Sequence, residues 1–193
     1  ALMTARLAGY LSATVPGHNL ALQEIAPGRF AARPPAATVA RLNDVFLSDL
    51  ETEHYFTIAL ADVDLATGRV ILAQAGHPHP AVQRADGSVE FVGEGGLPVG
   101  LIDGARFDQV EFTLAPGDRL LILSDGVTEC AAPDGRMLDE CGLAAILRHL
   151  RQTRGPALLE SLMWKLSDHA GEARFADDIS AVLLEFRPVP TPG

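Results

Sequence analysis

The stretch from Arg119 to Glu129, RLLILSDGVTE, decides the fold. Its first part, Arg119–Ser124, is an almost unbroken apolar run, which is typical of a buried strand. Asp125 and Gly126 follow directly. A carboxylate therefore stands at the strand end, next to a residue whose missing side chain lets the backbone turn sharply or approach a ligand closely. The stretch predicts a buried strand that brings an acid to the edge of the core.

Asp125 has two interpretations. Its carboxylate suits a hard cation such as Mg²⁺ or Mn²⁺, because these ions take oxygen ligands. Alternatively, the side chain caps the turn that follows the strand by bonding to nearby backbone N–H groups. These residues alone leave both interpretations open.

Asp177 and Asp178 form the second acidic feature, just before an apolar segment at Ile179–Phe186 that predicts the last strand. Adjacent like charges are costly without a cation or good hydrogen-bond donors. If the last strand lies beside Arg119–Ser124, acids from both strand ends meet and can hold a metal ion. The alternative is a solvated loop end in which an Asp caps the backbone.

The remaining pattern indicates an α+β fold in which helices cover antiparallel sheets. Residues 16–35 are rich in Pro and Gly and predict mainly loop, with one short strand at Leu20–Ile25. The other predicted strands are two hairpins and one half-buried strand: Phe56–Asp64 with Arg69–Ala75, Ala81–Arg84 with Val89–Val92, and Gln109–Leu114. The predicted helices are Ala1–Val15, Ala36–Leu50, Cys141–Arg151 and Pro156–His169, with Val15 and Met163 among the apolar stripe residues.

Composition bounds the class of protein. The chain has 193 residues, of which 48% are apolar and 21% charged, so it can bury the core of one globular domain. A formal charge of −10 disfavours binding to nucleic acid or to anionic membrane surfaces. No apolar run approaches the ~20 residues needed for membrane insertion. Two cysteines are too few for a disulfide scaffold, so we expect a cytoplasmic protein.

Two further motifs contain residue types that can carry chemistry. His77 and His79 form a His-x-His pattern that binds zinc in some proteins, which leaves an unrelated zinc hydrolase open. Pro follows each His and no third His or Cys is near, so one His ordering a turn and the other lying exposed is favoured. Gly93-Glu94-Gly95-Gly96 lacks the following Lys and Ser or Thr of a phosphate-binding loop.

Several segments, taken in order, carry a family resemblance. They are Phe56-Thr57, Ala75-Gly76-His77-Pro78, Gly96-Leu97-Pro98-Val99-Gly100-Leu101, Leu114-Ala115-Pro116-Gly117-Asp118, Leu123-Ser124-Asp125-Gly126-Val127-Thr128-Glu129 and Asp177-Asp178-Ile179-Ser180. From Ala1 to about Phe186, the chain resembles the SpoIIE-type branch of the metal-dependent (PPM, type 2C-like) serine/threonine phosphatases. Each motif alone is weak, and the ordered set is specific.

The resemblance implies an αββα sandwich of two antiparallel sheets flanked by helices. It implies two Mn²⁺ or Mg²⁺ ions and a metal-bound water that attacks phosphoserine. By their motif positions, Asp125 and Asp177 would be catalytic metal ligands, and the neighbouring Asp178 would assist as a third. Ser180 stands where the family usually has Thr, which keeps the hydroxyl.

One departure concerns the start of the chain. The family's N-terminal strands, which carry the other acidic ligands, normally precede the helix that begins at Ala1. We therefore expect residues 1–187 to be an N-terminally truncated phosphatase domain, inactive or nearly so alone, followed by a Pro-rich tail at 188–193. The resemblance implies a phosphorylated partner such as an anti-sigma factor antagonist, and an upstream sensory or receiver domain. A degenerate phosphatase fold that only binds partners is the alternative.

Overall fold

The computed structural model describes residues 2–12, 14–49, 55–171 and 175–187, with side chains from Arg6 onward. The helices are α1 (Leu2–Ser12), α2 (Pro35–Asp49), α3 (Asp125–Thr128), α4 (Asp139–His149) and α5 (Pro156–Ala170). The strands are β1 (Leu22–Ala26), β2 (Arg29–Ala32), β3 (Ile58–Val63), β4 (Arg69–Ala75), β5 (Ala81–Gln83), β6 (Val89–Phe91), β7 (Gln109–Thr113), β8 (Arg119–Leu123) and β9 (Ala181–Glu185). This mixed α and β content with antiparallel sheets confirms the predicted fold class.

The chain divides into two compact units. One comprises Ala1–Asp62, Ile71–Gly76 and Gly96–Val110, and the other comprises Val63–Val70, His77–Gly95 and Glu111–Gly193. Each unit has its own cluster of buried apolar side chains.

The second unit contains a four-stranded antiparallel sheet in the order β6-β5-β8-β9. The predicted turn at Asp86-Gly87 joins β5 to β6, with the Asp86 carboxylate accepting the Ser88 N–H at 2.8 Å. Helices α4 and α5 bury their apolar stripes against this sheet. The cluster includes Leu121, Leu123, Leu143, Leu147, Leu158, Leu162 and Leu166, all at most 3% exposed. Burial of these side chains is the main stabilising contribution in this unit.

The first unit packs helix on strand in the same way. Val39 and Leu42 on α2 pack in one buried cluster with Ala73 and Ala75 on β4, and Val99 completes this cluster. Strand β4 lies between β3 and β7 in a three-stranded sheet. The alternation predicted for β7 is present, because its side chains are in turn exposed and half-buried.

The structure differs from the predictions at three places. The strand predicted at Leu20–Ile25 is present as β1, but residues 16–35 also hold β2, which pairs with β1 in a hairpin that the sequence analysis does not predict. The Pro27-Gly28 pair sits at its tip, where Gly28 has φ +71°, so the turn residues mark a hairpin and not a loop. Helix α1 ends at Ser12, which leaves Val15 outside it and 55% exposed. Met163 lies off the buried stripe of α5 and is 38% exposed.

Some predictions fall outside the described residues. They concern Ala1, Leu50 and the Pro-rich tail at 188–193, so the division at residue 187 stays a prediction. Among the described helices, none is long and apolar enough to cross a membrane.

Candidate active site

The two acidic features of the sequence lie at one end of the β8–β9 pair. The strands run antiparallel, with Leu123 opposite Ala181. The end of β8 therefore lies beside the start of β9, and Asp125 follows one strand just as Asp177 and Asp178 precede the other. The condition on which the sequence prediction depended, that these strands are neighbours, is confirmed.

Ser124 ties the two acidic segments together. Its backbone N–H donates to the Ser180 carbonyl at 3.0 Å. Its hydroxyl accepts the Ser180 N–H at 2.9 Å and donates to the Asp178 carbonyl at 3.0 Å. These bonds continue the strand pairing beyond Leu123 and fix the backbone on both sides of the acids.

Gly126 permits the close approach that the sequence suggested. A Cβ at this position would lie 2.7 Å from the carbonyl oxygen of Asp178, which is backbone and cannot move aside easily. Position 126 is also helical, because α3 begins at Asp125. The short helix presents the Asp125 carboxylate from its first turn.

The carboxylates themselves are exposed and make local bonds. The Asp125 Oδ1 accepts the Gly126 N–H at 3.0 Å, and the Asp177 Oδ1 accepts the Asp178 N–H at 2.7 Å. This is the local capping considered above. It does not exclude metal binding, since a carboxylate has two oxygens and several lone pairs.

The donor chemistry fits a hard divalent cation, but the number of ligands does not complete a site. Within the described ranges, no group of three or more His, Cys, Asp and Glu side chains is placed to hold a metal ion. Asp125, Asp177 and Asp178 thus supply oxygen donors for part of a coordination shell only. Their role as ligands stays a prediction.

The His-x-His motif has a structural explanation. The His79 Nδ1 lies 2.9 Å from a carboxylate oxygen of Glu140, and both side chains are almost half exposed. The His77 Nδ1 lies 2.9 Å from the Pro78 carbonyl, as expected of a residue that orders a turn. His79 thus pairs with a residue on α4, a contact that the sequence spacing does not reveal. Among the described residues, neither His belongs to a group of three potential zinc ligands.

A groove that the sequence did not reveal adjoins Asp177 and Asp178. It measures about 650 Å³ and is lined by Met163, Ser167, Gly171, Phe175, Ala176, Asp177, Asp178 and Ile179. Met163 and Ser167 on α5, and Gly171 directly after it, recur every four residues, so a helical wheel centred on Met163 would have found this face.

The opposite end of the β8–β9 pair is basic and buried. Arg119 is 1% exposed, lies opposite Glu185, and places its Nε 3.3 Å from a Glu185 carboxylate oxygen. Its guanidinium also donates to the Gln83 side chain at 2.9 Å and to the Arg151 carbonyl at 3.1 Å. Burial lowers the pKa of Arg119 from its ordinary value, and the positive charge of Arg154 lowers it further.

The fold of the chain is that of bacterial PP2C-type phosphatase domains. The SiaA-PP2C domain of Pseudomonas aeruginosa superimposes with a TM-score of 0.78 at 22% identity, over 96% of this chain and 70% of that one. The phosphatase domain of SpoIIE from Bacillus subtilis, from crystals presoaked with Mn, gives a TM-score of 0.62 at 19% identity, over 89% of this chain and 85% of that one.

The family is also established. The chain belongs to the SpoIIE family (Stage II sporulation protein E), whose model matches residues 1–187. The phosphoserine phosphatase RsbP of Bacillus subtilis is 25% identical over 167 residues, which are 86% of this chain. The matched region spans 40% of the length of that relative. The resemblance read from the motifs is therefore confirmed.

Proposed function

We propose that the chain is the phosphatase domain of a metal-dependent protein-serine/threonine phosphatase that hydrolyses phosphoserine on a regulatory protein. The observation that carries the proposal is the placement of Asp125, Asp177 and Asp178 at one end of the β8–β9 pair. Family membership and the relative named as a phosphoserine phosphatase support it.

Asp125 and Asp177 would hold a divalent cation, Mn²⁺ or Mg²⁺, with Asp178 as a further ligand. Such ions, when bound, would lower the pKa of a bound water and neutralise the phosphoryl oxygens. The protein's part is to keep the two carboxylates in place. The Ser124 bonds and the close packing at Gly126 serve this purpose, because they join the two segments through rigid backbone.

These acids would supply only part of the ligands that two such ions need, and the rest would come from water, phosphoryl oxygens or further carboxylates. We therefore expect the 193 residues alone to release phosphate slowly or not at all. The proposed partner is a phosphorylated protein of the anti-sigma factor antagonist kind. An upstream sensory or receiver domain and a cytoplasmic location belong to the same proposal.

A second candidate function has one observation in its favour. Because no group of three potential ligands comes together among the described residues, a phosphatase fold that binds partners without catalysis is consistent with the structure. The two candidates differ in whether phosphate is released, and in whether Asp125 matters for that release.

The test measures metal-dependent phosphate release from a phosphoserine protein, with the protein at its full natural length and the 193-residue chain side by side. Asp125→Asn and Asp177→Asn should each lower the full-length rate by at least about 100-fold, since second-shell partners alone cost 10–100-fold. Asp134→Asn is the matched control, because Asp134 is also exposed and also accepts a local N–H, at 3.0 Å. Its rate should not change.

Two results would decide against the phosphatase. One is no release with either Mn²⁺ or Mg²⁺ while the phosphoprotein still binds, which favours the binding module. The other is release that survives Asp125→Asn, which shows that the acids are misassigned.

A further inference from the structure

The groove beside Asp177 and Asp178 is larger than the reacting group needs. Its volume of about 650 Å³ lies in the range of pockets that hold whole ligands, whereas a phosphoserine side chain has only a few heavy atoms. A substrate that placed its phosphate at the acids would leave most of this groove for its neighbouring residues.

The groove lining is mixed, and polar atoms contribute more of it than apolar atoms do. Among its apolar residues, Met163 on α5 and Phe175 are 38% and 36% exposed, although the neighbouring stripe of α5 is buried in the core. Ile179 continues the apolar lining to the start of β9. Large apolar side chains grouped in a concave, exposed site are typical of a surface that binds a partner.

The position and charge of the groove limit what can occupy it. Its lining includes Asp177 and Asp178, so it is continuous with the proposed reaction site. Those two acids, in a chain with a net charge of −10, disfavour further acidic residues beside the phosphoserine. A neutral or basic stretch with an apolar side chain complements both the walls and the charge.

We propose that this groove binds the residues that flank the phosphoserine of the protein substrate, with an apolar side chain seated against Met163 and Phe175. The inference rests on the proposed phosphatase function and adds the substrate's local sequence to it. Met163 is then a specificity-determining residue that touches substrate without taking part in phosphoryl transfer.

The chain carries a natural reporter for this binding. Trp164 is its single tryptophan, is 73% exposed, and directly follows Met163 on α5. We expect a segment that contacts Met163 to change the surroundings of this neighbouring indole and therefore its emission. The emission therefore reports binding without any metal and without turnover.

The experiment titrates the 193-residue chain with two phosphoserine peptides of equal length and charge. One carries Leu on both sides of the phosphoserine, and the other carries Ser at those positions. We expect the Leu peptide to bind about 3- to 10-fold more tightly, which corresponds to partial burial of one or two apolar side chains. Equal affinity for the two peptides overturns the proposal.

The variant Met163→Gln keeps the side-chain size and removes the apolar contact. It should abolish the preference for the Leu peptide and leave the affinity for the Ser peptide unchanged. Met137→Gln is the matched control, since Met137 is also exposed, at 56%, and does not line the groove. Equal effects of the two substitutions contradict the proposal. The proposal is also contradicted if the Trp164 emission shifts with protein concentration and not with added peptide, because a second copy of the chain then fills the groove.

The outcomes separate this inference from the proposed function. A preference for the Leu peptide without metal-dependent phosphate release from the full-length protein keeps the groove and rejects the phosphatase. Asp125-dependent release with no preference between the peptides keeps the phosphatase and rejects the groove.

Discussion

The two ends of the β8–β9 pair carry charges of opposite kinds in opposite environments. At the Arg119 end, the guanidinium is buried and meets Glu185, Gln83 and a carbonyl. At the Asp125 end, the carboxylates are exposed and accept only nearby backbone N–H groups in the bonds described above. Buried charges must be paired, whereas exposed carboxylates remain accessible to a ligand. The same strand pair therefore contributes stability at one end and is available for chemistry at the other.

The largest expected effect tests the buried end. Arg119→Met removes the buried one of the two arginines that pair with Glu185, and it leaves the Gln83 and Arg151 acceptors without their donor. We expect the free energy of unfolding to fall by about 3–5 kcal/mol, as for other buried pairs broken on one side. Urea unfolding measures this change.

Arg136→Met provides the control for that change. Its side chain is 77% exposed and lies 3.9 Å from Asp134, so its loss should change stability by no more than about 0.5 kcal/mol. If Arg119→Met is no less stable than Arg136→Met, the buried end contributes no more than a surface charge does, and the comparison fails.

The next effect tests how the acidic end is held. Gly126→Ala places a Cβ against the Asp178 carbonyl, so the Asp177–Asp178 segment or α3 must shift. We expect a loss of about 1–3 kcal/mol in unfolding free energy, as for overpacking elsewhere. We also expect weaker Mn²⁺-dependent phosphate release from the full-length protein, at a temperature where the variant is folded.

Gly9→Ala is the matched control, because Gly9 is also helical and a Cβ there has nothing within 4 Å. Alanine should be neutral or stabilising at that position. A Gly126→Ala protein that is as stable as wild type, and in which Asp178 has not moved, would show that the close approach is not required.

Most of the strands and helices could be predicted because their signals are local. Apolar runs and turn residues such as Asp86-Gly87 predict the structure of the few positions nearest to them in the sequence. The β1–β2 hairpin was missed because Pro and Gly density indicates a turn without saying what flanks it. The hydrogen-bond partners of Arg119 could not be predicted, since Gln83 and Arg151 lie 36 and 32 residues away along the chain.

The candidate site was predictable in part for the same reason. Asp125 and Asp177 stand out because each adjoins a strand in the sequence. The bonds of Ser124 and the groove at Met163 join segments that are far apart in sequence, so only the fold reveals them. Which carboxylate oxygens meet a cation depends on those long-range contacts, and the ligand assignment stays a prediction.

The smallest effect concerns the pH dependence of the buried end. Burial alone would raise the pKa of Glu185, but the Gly155 N–H, Arg187 and Arg119 together lower it below its ordinary value of 4.5. A carboxyl whose pKa is lower in the folded state stabilises the protein above that ordinary value. This contribution is lost as the pH falls through the folded pKa.

The stability advantage of wild type over Glu185→Gln should therefore disappear on acidification. Urea unfolding of both proteins, from neutral pH to below the ordinary Glu pKa, measures the difference. If the difference in unfolding free energy between the two proteins stays constant with pH, the charge of Glu185 does not stabilise the buried end. Shape and hydrogen bonding alone would then hold it.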